Sequence, residues 1–331
     1  MISTTQASGP KRVQLKWSSP HGRPLPSPEV RTLIMGVLNI TPNSFSGDGL
    51  LNREQDALDQ ADAMINVGID VLDIGGVPTR PPFSEKVEEE KPGKDHFPVH
   101  HSYSYTVSED EEMERILPII KAVRKKHPKL PISADTTRAR VAKACIEAGA
   151  DIINDQKSLL EDVNSEELNA FKKGEQTSIK SPMGTMLKEL QCPVILMHNR
   201  SETAYKDFWK EILEDLTLSL SIAKKSGIQA KQIWVDPGFC FGKEVRHNLE
   251  MVKNIDRLHA LGTPILLGAS RKSTLGGVTG APIDQRIAAT ITTTLWAQSK
   301  GVHMVRVHDA FENHQALQTF HAINQGINYH G

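Results

Sequence analysis

Short apolar runs that stop abruptly at polar residues recur along the whole chain. In one of them, Ile265-Leu266-Leu267 is ended by Gly268 and followed at once by the polar segment 270–273. A fully buried parallel strand has this pattern when its carboxyl end opens onto a site. The other apolar runs end at Asn39, Asp73, Asp135, Asn154, His198, Asp236 and the segment 306–309. Each run therefore predicts a buried strand with polar groups at its tip.

Helical stretches separate these runs. Ala57, Ala61 and Met64 recur at helical spacing before Gly68, a typical helix terminator. Residues 109–126 are acidic at their start and basic at their end, a polarity that suits the helix dipole. The predicted strands are 33–38, 71–74, 131–135, 151–154, 193–198, 232–236, 264–268 and 302–307, and the later predicted helices lie near 141–148, 206–226, 244–260, 282–299 and 310–325. This alternation predicts an α/β protein, a (β/α)8 TIM barrel with its active site on the C-terminal face.

Three segments depart from the alternation. Residues 82–108 and 156–189 are long polar loop insertions, the second with one or two short predicted helices. Residues 1–30 are rich in Ser, Pro and basic residues, with Glu29 as the single acid, which is typical of a disordered extension or linker. We therefore divide the chain into an N-terminal extension, 1–30, and a barrel, 31–331.

Composition narrows the environment and the partners. The formal net charge of −1 favours neither nucleic acid nor an anionic lipid surface, and no apolar run approaches the roughly 20 residues of a membrane span. The N-terminus lacks the apolar core of a secretory signal. The three cysteines have no metal-type spacing and fit a reducing compartment: Cys145, Cys192 and Cys240. The expected location is the cytoplasm, with a mitochondrial presequence as the alternative.

Acids and amides at strand ends form the first group of candidate binding residues. Asp135, Asn154 and Asp236 can exchange hydrogen bonds with a flat nitrogen heterocycle. Burial of a carboxylate is costly unless the group is paired, and the N–H donors of a ligand ring are one way to pair it. The alternative interpretation is that these side chains tie loops to the barrel rim.

Basic residues near strand ends form the second group. Alternation along the extended segment 306–308 places its two polar side chains on one side, where they suit a phosphate or diphosphate. Barrels often bind phosphate at the loops after strands seven and eight. The alternative is a salt-bridged barrel end. The members of this group are Arg80, Arg271, Lys272, Arg306 and His308.

Asn39 adds a metal to the prediction. A diphosphate beside this amide suggests hydrated Mg2+, which is usually held by few protein ligands and by phosphate oxygens. The sequence has no Ser-His-Asp or Cys-His pairing and no Walker or Rossmann glycine pattern. These absences argue against dinucleotide hydride transfer and P-loop chemistry.

Several motifs occur in a characteristic order between residues 33 and 325. They lie at 35–42, 73–76, 79–81, 135–136, 154–155, 197–198, 236–238, 241–243, 270–273 and 306–309. Together they resemble the dihydropteroate synthases, a family of pterin-binding barrel enzymes. The resemblance implies that the chain condenses 6-hydroxymethyl-7,8-dihydropterin diphosphate with 4-aminobenzoate, giving 7,8-dihydropteroate and diphosphate.

The resemblance also implies roles for individual residues. Arg80 is expected in a loop that closes over the site, Ser273 near the aminobenzoate carboxylate, and Asn39 on Mg2+. The residues expected to act in catalysis are Lys272, Arg306, His308 and Arg80. The residues expected to bind the pterin are Asp135, Asn154, Asp236 and Lys272, and those expected to bind the diphosphate are Thr79, Arg306 and His308.

The chain departs from the family pattern in both loops that flank the chemistry. In the first loop Asn43 replaces an acid and Asp48 comes one position late, and in the second loop Pro78 occupies a serine position. Asn199 and Cys240 stand where methionine and glycine are usual. These changes leave a second hypothesis open, a weak or inactive pterin-binding paralogue. A third is a methyltetrahydrofolate:corrinoid methyltransferase, which shares the barrel.

The resemblance extends to assembly. The extension and the two insertions resemble those of eukaryotic, especially fungal, members, whose synthase domains often end a longer folate-synthesis protein. The family also implies a homodimer with a face near the last helices.

Overall fold

The computed structural model describes residues 17–29, 31–40, 50–77 and 107–326. Within them, parallel strands form one sheet in the order β6-β5-β4-β3-β2-β1-β8-β7. A single parallel bridge from Val235 to Ile265 joins the two edges, so the sheet closes into the predicted (β/α)8 barrel. The strands are β1 Leu33–Asn39, β2 Val71–Gly75, β3 Ile132–Asp135, β4 Ile152–Asp155, β5 Val194–Met197, β6 Ile233–Asp236, β7 Leu266–Leu267 and β8 Met304–Val307.

Helices surround the barrel. Ser108 caps α2 by accepting a hydrogen bond from the Glu111 N–H, and acids in the first turn and bases in the last fit the dipole. The second insertion contains two short helices, α4 and α5, as predicted. The helices are α1 Leu50–Asn66, α2 Glu109–Lys126, α3 Ala139–Ala148, α4 Ser165–Lys172, α5 Pro182–Leu190, α6 Phe208–Lys225, α7 Val245–Lys253, α8 Ser273–Thr279, α9 Ile287–Ser299 and α10 Ala310–Gln325.

Near the seventh strand two predicted elements had wrong boundaries and one helix was missed. The helix expected over 244–260 ends at Lys253, because Asn254 leaves helical geometry and its amide donates to Glu250; residues 255–261 form a 3-10 helix. The strand expected over 264–268 shortens to Leu266–Leu267. Helix α8 was not predicted, because it has only seven residues, includes two glycines and shows no apolar period.

Side-chain alternation along the strands builds an apolar floor with a polar layer above it. Val71, Ile152, Trp234 and Met304 belong to one buried cluster inside the barrel. Two positions after each of them, on the same face of its strand, comes a polar residue. These polar residues are Asp73, Asn154, Asp236 and Arg306. The period of two therefore places the polar set at the carboxyl end of the barrel.

Residues 17–29 pack beneath the floor. The ring of Trp17 is buried, with its centroid 4.8 Å from that of Trp234. Ser19 Oγ and Arg23 Nε donate to Asp151 Oδ1 at 2.5 and 2.8 Å. The expectation of disorder was wrong for this stretch. The Trp17 indole and the two donors to the buried Asp151 carboxylate hold the segment in place. The average composition of residues 1–30 does not reveal these few contacts.

Replacing Trp17 by alanine is expected to lower the free energy of unfolding by about 2 kcal/mol. The loss is below that of a central tryptophan, because the segment lies at the barrel end and can readjust. Urea unfolding measures it, with the exposed Glu29→Ala as the control, for which we expect a change within about 0.5 kcal/mol. Equal stability of the two variants would contradict the packing role of Trp17.

No helix in the described ranges is long and apolar enough to cross a membrane.

Candidate active site

Arg306 joins two acids in the polar layer. Its Nε donates to Asp73 Oδ2 at 2.6 Å and its Nη2 to Asp135 Oδ2 at 2.8 Å. Asn154 Nδ2 also donates to Asp73 Oδ2, at 3.2 Å. Arg306 thus links the predicted Asp135 to Asp73, and Asp73 in turn contacts the predicted Asn154. Asp73 was predicted at a strand end and in the motif 73–76 but was not counted among the site residues. Asp73 Oδ1 is buried and has no hydrogen-bond partner among the described residues, so it is an acceptor that a ligand donor would satisfy.

Asp135 lies at the centre of this group. Burial raises the pKa of its carboxyl above the ordinary value, and the Arg306 guanidinium opposes the rise. Gln156 Nε2 donates to both carboxylate oxygens, at 2.8 and 2.9 Å. Gln156 was missed by the sequence analysis, because it follows the strand tip by two residues inside an insertion without periodicity.

The opposite wall is formed by Asp236 and Lys272. Burial raises the pKa of Asp236, and the Lys272 ammonium is the largest opposing influence. An ideal Cβ placed on Gly268 would lie 3.6 Å from Asp236 Oδ2 and 3.8 Å from Lys272 Nζ. The two charged groups therefore flank the glycine that ends the seventh apolar run, and a larger side chain there would crowd both.

The segment after β6 supports this wall. Gly238 N donates to Asp236 Oδ1 at 2.7 Å. Lys272 Nζ donates to the Phe239 carbonyl at 2.9 Å and lies 4.7 Å from the centroid of the Phe241 ring. A flat ring between the two walls would meet carboxylates on both sides and an ammonium on one.

His308 stands at the exposed rim above Arg306. Its Nδ1 and backbone N lie 3.0 and 3.1 Å from Ser270 Oγ. Desolvation lowers the pKa of His308, and the nearby cations of Arg306 and Arg271 lower it further. Because the side chain is exposed, solvent moderates the shift. His308 is thus a hydrogen-bonding group at the rim whose environment lowers its pKa, and its role beside the cations stays a prediction.

Arg271 does not enter the site. Its backbone is left-handed, with φ of 57°, and its guanidinium makes a bidentate pair with Asp309. The Arg271 carbonyl accepts from Arg286 Nη1 at 2.9 Å. The salt-bridge alternative therefore applies to Arg271, whereas its neighbour Lys272 faces the barrel axis.

The remaining predicted residues lie around the mouth or beyond the described ranges. Asn39 ends β1 with its side chain exposed. Ser273 begins α8 with its Oγ 3.6 Å from Cys240 Sγ. Thr79 and Arg80, like the loop 41–49 and Pro78, fall outside the residues that the structure describes.

The donor set at the mouth fits Mg2+ only with ligands from outside the protein. In the described part of the chain, no three His, Cys, Asp or Glu side chains gather as a metal site. The exposed Asn39 amide offers one neutral oxygen, which suits an ion held mainly by water and phosphate oxygens. A magnesium ion carried by a diphosphate substrate fits this arrangement.

Fold and site together define a barrel of the enzyme type whose mouth offers hydrogen-bonding groups suited to a flat heterocycle. The sequence matches the family described as "Pterin binding enzyme" over residues 35–99 and 98–308. It is 39% identical to the dihydropteroate synthase of Clostridium beijerinckii over 289 residues, 87% of this chain and 93% of the relative. The chain belongs to the dihydropteroate synthase family of pterin-binding enzymes, whose members are transferases of folate biosynthesis.

Solved structures agree. A Clostridium difficile dihydropteroate synthase determined in the presence of pteroic acid superposes with a TM-score of 0.73 at 35% identity, covering 88% of this chain and 97% of the other. A Xanthomonas albilineans dihydropteroate synthase with 4-aminobenzoic acid gives 0.74 at 30% identity, covering 93% and 100%. These relatives are bacterial, and their fold agrees with that of the described residues over most of the chain.

Proposed function

We propose that this chain condenses 6-hydroxymethyl-7,8-dihydropterin diphosphate with 4-aminobenzoate, giving 7,8-dihydropteroate and diphosphate. The observation that carries the proposal is the buried layer in which Arg306 joins Asp73 and Asp135 opposite the Asp236–Lys272 wall. The family membership supplies the substrates that such a layer would bind. Neither the corrinoid methyltransferase nor the inactive paralogue finds support among the relatives described above.

The pterin ring would lie between the two walls. Its amino and ring N–H groups are donors, and Asp135, Asp236 and the unsatisfied Asp73 Oδ1 are acceptors for them. Asn154 can donate or accept, and Lys272 would donate to a ring nitrogen or the ring oxygen. On binding, the buried carboxylates would gain hydrogen-bond donors from the ring. A ring without such donors would leave the carboxylates unsatisfied, so the site favours a donor-rich heterocycle.

The diphosphate would extend toward the rim. Arg306 uses Nε and Nη2 for the acids. Its Nη1, the His308 imidazole and the Thr79 hydroxyl would donate to phosphate oxygens. Mg2+ at Asn39, when bound, would neutralise negative charge on the departing diphosphate. These donors stabilise the leaving group as the bond between the methylene carbon and oxygen breaks.

The second substrate then completes the reaction. The methylene cation is stabilised by the pterin ring, and the aniline nitrogen of 4-aminobenzoate attacks it. The new carbon–nitrogen bond forms as the amine loses a proton, so no covalent enzyme intermediate is needed. Ser273 at the start of α8 would bind the benzoate carboxylate, and Arg80 would close over the reactants.

Release of diphosphate from the pterin substrate is expected to require 4-aminobenzoate and Mg2+. A coupled diphosphate assay with each component omitted in turn measures this. Tight pterin binding without release would instead point to the non-catalytic paralogue. Absence of both binding and release would refute the substrate assignment.

The chain is expected to form a homodimer through its last helices. Five exposed large apolar side chains lie between α8 and α10: Val278, Ile283, Trp296, Phe311 and Ile323. Contiguous apolar patches on a soluble protein mark interaction sites, and a dimer interface at these helices would cover the five side chains. Sedimentation velocity should give twice the mass of 36.6 kDa, and Phe311→Glu should shift the equilibrium toward monomer. A monomer at all concentrations would contradict the assembly.

We place the enzyme in the cytoplasm, consistent with its free thiols.

A further inference from the structure

We propose that Lys243 is a positioning residue for the pterin pocket, held in place by His198 and Asp215. It fixes residues 238–243, here called the pocket segment, against which Lys272 is placed. This proposal rests on the proposed function because its kinetic test measures the KM for the pterin diphosphate. The contacts among Lys243, His198 and Asp215 do not depend on which reaction the site performs.

Lys243 holds the pocket segment in place. Its buried Nζ lies 3.0 Å from the carbonyl oxygens of both Gly238 and Phe241 and donates to them, so one ammonium fastens two points of one short loop. The third contact of Nζ is His198 Nδ1, at 2.8 Å. Burial lowers the pKa of Lys243 to about 7; in the protonated form the ammonium has three protons, and the three acceptors use all of them.

The same segment supports the substrate wall. The Phe239 carbonyl accepts from Lys272 Nζ, and the Phe241 ring packs beside it. Lys243 and Lys272 therefore bind different carbonyl oxygens of one short loop. A displacement of the loop by a fraction of an ångström would move the Lys272 ammonium relative to Asp236.

The segment has no room to adjust by itself. Gly238 has φ of 69°, and an ideal Cβ there would lie 1.8 Å from the His198 carbonyl oxygen. Gly242 has φ of 60°, and a Cβ there would lie 2.5 Å from the Arg200 carbonyl oxygen. The loop is thus pressed against residues 198–200, which carry the next group of the network.

His198 is held by Asp215 on one side and accepts a hydrogen bond from Lys243 on the other. Its buried Nε2 lies 3.0 Å from Asp215 Oδ2, a pure acceptor, so Nε2 carries the proton and Nδ1 accepts from Lys243. Arg200 Nε donates to the same Asp215 oxygen at 2.6 Å. Burial and the Lys243 cation hold the pKa of His198 near 4, so the imidazole is neutral at pH 7.

Asp215 connects this network to solvent. With Arg200 and His198 it lines a cavity of about 480 Å3 whose other walls include the segment 157–161 after β4 and the helix α6. Burial raises the pKa of Asp215, but the hydrogen bonds from His198 and Arg200 outweigh it and bring the pKa to about 2. The carboxylate is therefore ionised at neutral pH and keeps the Nε2–H tautomer of His198.

The test compares Lys243→Met, which keeps the length of the side chain but removes its donors, with the exposed Lys210→Met as control. We expect the KM for the pterin diphosphate to rise at least about tenfold in Lys243→Met, with the KM for 4-aminobenzoate within about twofold of wild type. Lys210→Met should match wild type in both constants. An equal rise in the KM values of both substrates, or a fall in kcat with both KM values unchanged, would overturn the positioning role.

A second pair of variants keeps the proposal testable if Lys243→Met fails to fold. His198→Asn places an acceptor oxygen near the Nδ1 position, whereas His198→Leu places none. Asparagine should recover most of the pterin affinity that leucine loses; equal affinities would refute the network.

Histidine nitrogen NMR of the wild-type protein supplies a readout without substrate. The His198 signals should show Nε2 protonated and Nδ1 unprotonated, and the reverse tautomer would contradict the geometry. Wild-type protein that binds no pterin would refute the proposed function while leaving this NMR result to decide the network.

Discussion

Replacing Lys272 by alanine is expected to lower kcat/KM for the pterin diphosphate by about a thousandfold, on the order of 4 kcal/mol. The ammonium is the largest influence that keeps the buried Asp236 carboxyl ionised. Without it the pKa of Asp236 rises further, and the carboxyl becomes a weaker acceptor for the two ring donors. One substitution therefore removes a donor to the pterin and weakens an acceptor.

Calorimetric titration with the pterin substrate separates binding from turnover in this variant. Lys272→Met serves as a companion, because its chain still packs on the Phe241 ring while the charge is absent. If charge is the cause, both variants should lose affinity to a similar degree. Unchanged pterin affinity in Lys272→Ala would remove Lys272 from the site.

Replacing Arg306 by methionine is expected to cost about 3–5 kcal/mol of stability at pH 8 and to abolish activity. The cost comes from Asp73 and Asp135, which would remain buried without the cation that bonds to both. Asp73→Asn in the Arg306→Met background should restore part of the stability, because it removes one of the two uncompensated charges. Urea unfolding measures both.

The penalty in Arg306→Met should depend on pH in a defined direction. Loss of the cation raises the pKa of Asp135 in the folded state further above its unfolded value. A carboxyl with a raised folded pKa holds its proton in the native state, so stability is lost as pH rises from the unfolded pKa toward the folded one. The variant should therefore be closest to wild type near pH 4 to 5. A penalty that is constant from pH 5 to 8 would contradict this account.

The barrel and its acid layer could be predicted from sequence for one physical reason. A buried parallel strand is apolar along its length, so its first polar residue marks the carboxyl end. Asp135, Asn154 and Asp236 were found in this way, and the structure places all three in the polar layer. The same rule gave the ends of β1 and β8.

The sequence could not predict side chains whose direction depends on the local backbone conformation. Arg271 and Lys272 are adjacent and both basic, and only the left-handed φ at Arg271 turns one outward and the other inward. Gln156 lies in a loop without periodicity, so no spacing links it to the site, and Lys243 was marked as part of the motif 241–243 without any role. Asp73 was visible as a strand tip, but its pairing with Arg306 joins residues 233 positions apart.

The narrow closure between β6 and β7 has a consequence for how ligand and fold depend on each other. One bridge from Val235 to Ile265 connects the two edges, and β7 has only two residues. Asp236 stands at the tip of one edge, and Lys272 follows the other. A pterin that bonds to both would act as a cross-link over the seam, so amide hydrogen exchange near residues 264–268 should slow on binding more than anywhere else in the sheet. For this barrel, filling the site would therefore also stabilise the closure of the sheet.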